Sequence, residues 1–159
     1  MTIKRTLFFA LSLMCAATIF SGCGRKTPAG MPKLYPCSIE IIQDGKPLGD
    51  ATVTLATEEH TWAVSGSTDA SGVAKIFTHG TYPGAPLGKY TVVVSKQIVE
   101  EPEQTQVSAS MVVSGGTAYN LVAPEFGSRD TSPLTLEIKG KTKESFDVGE
   151  SIREEVKAI

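Results

Sequence analysis

Cysteine is scarce in this chain, with three in 159 residues, and histidine and tryptophan are scarcer still at two and one. That scarcity excludes a dense disulfide framework and leaves little material for a zinc site. His60 and His79 stand in no HExxH arrangement, no CxxC is present, and neither a GxSxG elbow nor a Walker sequence occurs. An excess of one charge is lacking too, since 15 basic and 17 acidic residues give a net charge of −2. With no basic stripe and no alternation of arginine with aromatic residues, nothing points to nucleic acid. No cofactor, metal site or enzymatic activity is expected from these residues. Long apolar runs are absent but for one, Leu7 to Phe20.

That run follows Lys4 and Arg5 and leads into Phe20-Ser21-Gly22-Cys23. A spanning helix needs about 20 predominantly apolar residues, and the dense apolar part falls short of that. A basic start, a short apolar helix and a small-residue site are the parts of an export signal. Its last four residues resemble the lipobox of bacterial lipoproteins, with Phe20 where Leu is common. The resemblance implies a signal peptide over residues 1–22, with Ser21 and Gly22 flanking the cleavage point. It also implies that Cys23 is the lipid attachment residue and the mature N-terminus. Acyl chains such as palmitate would then hold the protein on the membrane, each buried methylene contributing about 0.8 kcal/mol. Gly24, in a place where Asp would signal inner-membrane retention, implies the outer membrane of the cell envelope.

With Cys15 in the signal and Cys23 carrying lipid, Cys37 has no partner for an internal disulfide. It is expected to be a buried, inert thiol. Residues 23–35 are rich in Gly, Pro and Lys and predict a flexible tether, because such composition buries too little apolar surface to offset ordering entropy. The rest is enough chain for one domain rather than two.

Residues 36–148 read almost entirely as strands. Cys37 to Ile42 ends in the turn signal Gln43-Asp44-Gly45-Lys46-Pro47, and Ala51 to Ala56 alternates so that Val53 and Leu55 share one face. Trp62 to Ser67, the turn Asp69-Ala70-Ser71-Gly72 and Val73 to Phe77 predict a hairpin. Lys89 to Ser95 is the strongest strand. Leu134 to Ile138 and Ser145 to Val148 predict a second hairpin across Lys139-Gly140-Lys141. About seven strands with short turns argue an all-β fold, a single antiparallel β-sandwich.

Three segments in order carry a further resemblance: Gly45-Lys46-Pro47-Leu48-Gly49-Asp50-Ala51-Thr52-Val53, Thr68-Asp69-Ala70-Ser71-Gly72, and Gly88-Lys89-Tyr90-Thr91-Val92. They resemble the transthyretin-like, carboxypeptidase-regulatory-like domain, as found in small bacterial lipoproteins. The resemblance implies an Ig-like, transthyretin-like sandwich that supports and binds rather than turns over a substrate. The residues themselves suggest scaffold roles. Gly45 and Gly72 suit positive φ, Asp69 can cap its own turn, and Tyr90 can fill the core while its hydroxyl reaches the backbone.

Residues 96–120 are polar and predict a long loop, with residues 149–159 as a tail whose Ser151-Ile152-Arg153-Glu154 fits the capping box of a short helix. The function expected is that of a non-catalytic structural or protein-interaction module, partnered by the membrane through Cys23 and by an envelope protein or polymer. The alternative is a carbohydrate or small-ligand module, for which Trp62, Tyr82 and Tyr119 are the candidate stacking residues.

Overall fold

The computed structural model describes residues 28–100 and 116–156. Two units divide the chain, Met1–Met31 and Pro32–Ile159. Of the first, the described part is a turn in which the Met31 amide donates to the Pro28 carbonyl at 3.2 Å. The signal peptide, Ser21, Gly22 and Cys23 lie outside the described residues.

The second unit is all-β. Its strands are β1 (Cys37–Gln43), β2 (Lys46–Pro47), β3 (Thr52–Ala56), β4 (Val64–Ser67), β5 (Val73–Lys75), β6 (Phe77–Thr78) and β7 (Tyr82–Pro83). They continue with β8 (Gly88–Ser95), β9 (Gln97–Glu100), β10 (Thr117–Asn120), β11 (Thr135–Ile138), β12 (Thr142–Asp147) and β13 (Glu154–Glu155). One sheet has β1 at its centre, with β12 on one edge and both β2 and β5 on the other. The larger sheet runs β11-β8-β3-β4-β6-β7, and a small one runs β13-β10-β9.

Alternation along the strands builds the core. Cys37, Ile39 and Ile41 of β1 are buried with their neighbours half-exposed, and Val53 and Leu55 of β3 repeat the pattern. Tyr90, Val92 and Val94 of β8 do the same, joined by Leu136 and Ile138 of β11. These residues, from two sheets, form one cluster, which makes the fold β-sandwich-like. Complete burial of each large aliphatic side chain contributes about 1.5–3 kcal/mol.

Several turns follow expectation. Gly45 and Gly72 have φ of 69° and 75°. Asp69 Oδ1 accepts from the amides of Ser71 and Val73 and from the Ser71 hydroxyl, closing the predicted turn. That carboxyl is held below its ordinary pKa, chiefly by the Ser71 hydroxyl and then by the Val73 and Ser71 amides.

Other pairings differ from the sequence reading. β11 and β12 form no hairpin: Ile138 pairs with Gly88 while Thr142 pairs with Cys37, so Lys139 to Lys141 carry the chain from one sheet to the other. β12 moreover runs parallel to β1, an exception to the antiparallel expectation. Each strand covers an edge of a central strand, β8 or β1, and so satisfies backbone groups that a separate hairpin would leave open. The first predicted hairpin also splits. Phe77 and Thr78 return to β4, but Val73 to Lys75 pair with β1, the switch occurring at buried Ile76. Among the described residues thirteen strands replace about seven, because many are two to four residues long.

The 96–120 stretch is not loop throughout. β9 and β10 pair antiparallel at its two ends, with Ala118 opposite Val99; residues 101–115 lie outside the described residues. In the tail, strand replaces the predicted helix: Glu154 and Glu155 pair with β10. The Ser151 amide donates to the Asp44 carboxylate, and Val156 N donates to the Ala118 carbonyl at 2.8 Å. The open backbone edge of β10 thus offers more than an isolated helical turn could gain.

Candidate functional site

Polar side chains meet where the loop after β3 approaches the start of β8. Buried Tyr90 carries its hydroxyl to the carbonyl of Pro86, which accepts at 2.9 Å. His60 Nε2 lies 2.9 Å from the same hydroxyl, and His60 Nδ1 accepts from the Trp62 amide at 3.3 Å. Because Nδ1 accepts, Nε2 carries the proton of the neutral ring and donates to Tyr90. A directed chain results: Trp62 N–H to His60, His60 to Tyr90, Tyr90 to the Pro86 carbonyl. The two rings sit tilted, with centroids 5.7 Å apart.

Burial pushes the Tyr90 hydroxyl up to about 12, with the Glu59 carboxylate and then Cys37 adding to the effect. Glu59 approaches so closely at Gly88, where φ is +151°, that a Cβ there would stand 2.6 Å from its Oε2. Beside this cluster lies a cleft of about 630 Å³ whose lining carries charges of both signs: Glu58, Glu59, Lys89, Arg129 and Glu137. Arg129 pairs with Glu58 across it. A smaller cleft of about 330 Å³ runs over His60, Tyr35 and exposed Leu87.

Trp62 is half-buried, packed on the core and in a T-shaped ring contact with His79 at a centroid distance of 5.1 Å. It lines a groove of about 460 Å³ together with His60 and Thr61. Tyr82 sits opposite Thr78 in β7, beyond β6 from Trp62. Tyr119 belongs to the small sheet, and the Arg153 guanidinium covers its ring at 4.3 Å. The structure therefore places Trp62 and Tyr82 in one sheet region and Tyr119 in another sheet, so the three form no common stacking face.

No family model, curated protein or solved structure matches the chain.

Among the described residues no group of three or more His, Cys, Asp and Glu could hold a metal ion, and no helix is long and apolar enough to cross a membrane. The His60 ring bonds Tyr90 and the Trp62 amide, whereas the His79 ring packs against the Trp62 ring. Cys37 is buried and free, its thiol pushed up to about 11 by burial and then by the Glu144 carboxylate. A thiol held protonated in this way is a poor nucleophile. Sequence reading identified the Tyr90 role but not its partner His60, because thirty positions separate them and only the loop's return brings them together.

Proposed function

We propose that the protein is a lipoprotein of the bacterial cell envelope, anchored through acylated Cys23, whose β-sandwich acts as a structural or protein-interaction module. The address rests on the Lys4-Arg5 start, the apolar Leu7 to Phe20 run and the lipobox-like Phe20-Ser21-Gly22-Cys23, with Gly24 favouring the outer membrane. The domain type we assign is Ig-like and transthyretin-like, in the carboxypeptidase-regulatory-like manner. Its support is local: the Gly45 and Gly72 turns hold positive φ, and Tyr90 ties its hydroxyl to backbone upstream, as tyrosine corners of sandwiches do.

One observation carries the scaffold role. Every buried side-chain nitrogen and oxygen among the described residues is hydrogen-bonded within the domain. Thr68 bonds Ala51, Thr78 bonds Gly84, Gln43 bonds Leu121 and Tyr90 bonds Pro86, so the polar interior serves to join strands and loops. Recognition then falls to the surface, where Leu87 is 49 % exposed at the loop before β8. A photoreactive residue in place of Leu87, activated in intact cells, is expected to give a discrete adduct with an envelope protein, a polymer or a second copy. Absence of any adduct would contradict the reading.

A second reading has its own observation. The groove beside half-buried Trp62 is open and includes Thr54, Thr57, Thr61 and Ser65 in its lining, which suits a sugar ring. Quenching of Trp62 fluorescence by soluble glycans would favour a carbohydrate-binding module, and an unresponsive Trp62 would oppose it.

A further inference from the structure

The sheet built on β1 has two faces, and only one belongs to the core. Cys37, Ile39 and Ile41 point inward, so Ser38 and Glu40 point out. Register fixes what flanks Ser38: Lys75 of β5 on one side and Lys143 of β12 on the other. Neighbouring strands lie about 4.8 Å apart, which sets the two lysines in one row with a hydroxyl between them. Lys141, just ahead of β12, adds a further charge at the same end. All of these lysines line a cavity of about 280 Å³ whose other walls include Pro36, Phe77 and Pro83.

Like charges side by side are unfavourable on a sheet, and no ion pair among the described residues offsets this row. Elsewhere Lys139 pairs with Glu137, and Lys96 donates to the Gly49 carbonyl. Lys75, Lys141 and Lys143 take part in no ion pair among the described residues. The carboxylates of the neighbourhood form no ion pair with the row. Glu40 lies on the same face one row on, opposite Val73 and Ser145, exposed Glu144 pairs opposite Ile39, and Asp69 acts on Lys75 from the turn ahead of β5.

Charge selects an anion, and the apolar walls select its carrier. A hydrated polyanion gains nothing from Phe77 and Pro83, whereas a phospholipid surface offers phosphates to the lysines and an apolar layer just beneath. The position of the face agrees. It begins at Pro36, and the chain from Cys23 to Pro36 can extend no further than about 45 Å.

We infer that this face docks on the anionic phospholipid headgroups of the membrane that holds the protein, with Lys75, Ser38, Lys143 and Lys141 contacting phosphate. The inference rests on the lipid-anchored reading above. It is tested by amine-reactive labelling of the full chain, reconstituted in vesicles of phosphatidylcholine alone or with phosphatidylglycerol added, and read by peptide mass. The chain is attached in both cases, so the comparison isolates headgroup charge.

Labelling of Lys75, Lys141 and Lys143 is expected to slow severalfold in the anionic vesicles, while Lys89 and Lys139 keep their rates. Replacing one of the lysines, as in Lys143→Gln, should return Lys75 towards its neutral-vesicle rate by about fivefold, the factor for one basic side chain near an anionic surface. Equal rates in the two vesicles would overturn the inference. So would equal protection by inorganic phosphate in neutral vesicles, which would mark a site for free anions. The mass of the N-terminal peptide from native membranes reports the anchor independently: acylated Cys23 with unprotected lysines defeats only the docking face, and protected lysines with unmodified Cys23 defeat only the anchor.

Discussion

The Tyr90 hydroxyl donates to the carbonyl of Pro86 at 2.9 Å, tying the start of a core strand to the loop that precedes it. His60 completes the arrangement from a third segment, and its other ring nitrogen fixes the Trp62 backbone. One phenol therefore holds two loops at the end of the larger sheet.

Tyr90→Phe keeps the ring in the core and removes that tie. The Pro86 carbonyl and the His60 ring lose their partner, and a buried group left unsatisfied costs about 1–3 kcal/mol. The urea midpoint should fall accordingly. His60→Ala made in the Tyr90→Phe background should cost less than in the native protein, because the two residues share one network.

Alkaline pH should act on the same region. Cys37 is raised from an ordinary 9.0 to about 11 and Tyr90 from 10.0 to about 12. For an acid whose folded pKa lies above its unfolded one, the stabilisation is complete below the unfolded value and is lost as pH rises through the folded value. Denaturation midpoints should therefore fall from about pH 9 to 12, with Cys37→Ala removing the earlier part of the fall and Tyr90→Phe the later. A midpoint unchanged across that window would contradict both assignments.

Gly66 marks the point where the strand leaving Gly72 crosses between sheets. A Cβ there would stand 2.3 Å from the Lys75 carbonyl oxygen, which is backbone and cannot turn aside. Gly66→Ala should destabilise by about 3 kcal/mol, as overpacking of a closed site does. Gly80, at φ +64° with nothing within 4 Å of a Cβ, supplies the contrast. Gly80→Ala meets only the left-handed backbone penalty of about 1 kcal/mol, and the two denaturation midpoints should differ in that order.

Period-two patterning made β1, β3 and β8 legible, since Ile39, Val53 and Tyr90 each stand between polar neighbours and each is buried. Turn chemistry was equally readable at Asp69 and Gly72, where one carboxylate and one positive φ suffice. Pairing partners were not. Nothing in Leu134 to Val148 tells that β11 belongs to β8 and β12 to β1, because their choice is made by edges that other segments leave open. β13 is a sharper case. Ser151 and Glu154 satisfy a helix-start pattern locally, yet the edge of β10 and the Asp44 carboxylate take those backbone groups. Of the site, Tyr90 could be placed from its strand, while His60 needed the fold of the whole loop to meet it. The lysine row at Ser38 was hidden for the same reason, its members coming from strands far apart in sequence.

The envelope anchor is the claim on which the function turns, and the mass of the N-terminal peptide from native membranes tests it most directly, beside a Cys23→Ser control. The account predicts a peptide that begins at Cys23 and carries diacylglycerol, with the control left unprocessed. An N-terminus that is unmodified at Cys23, or still joined to residues 1–22, would contradict it.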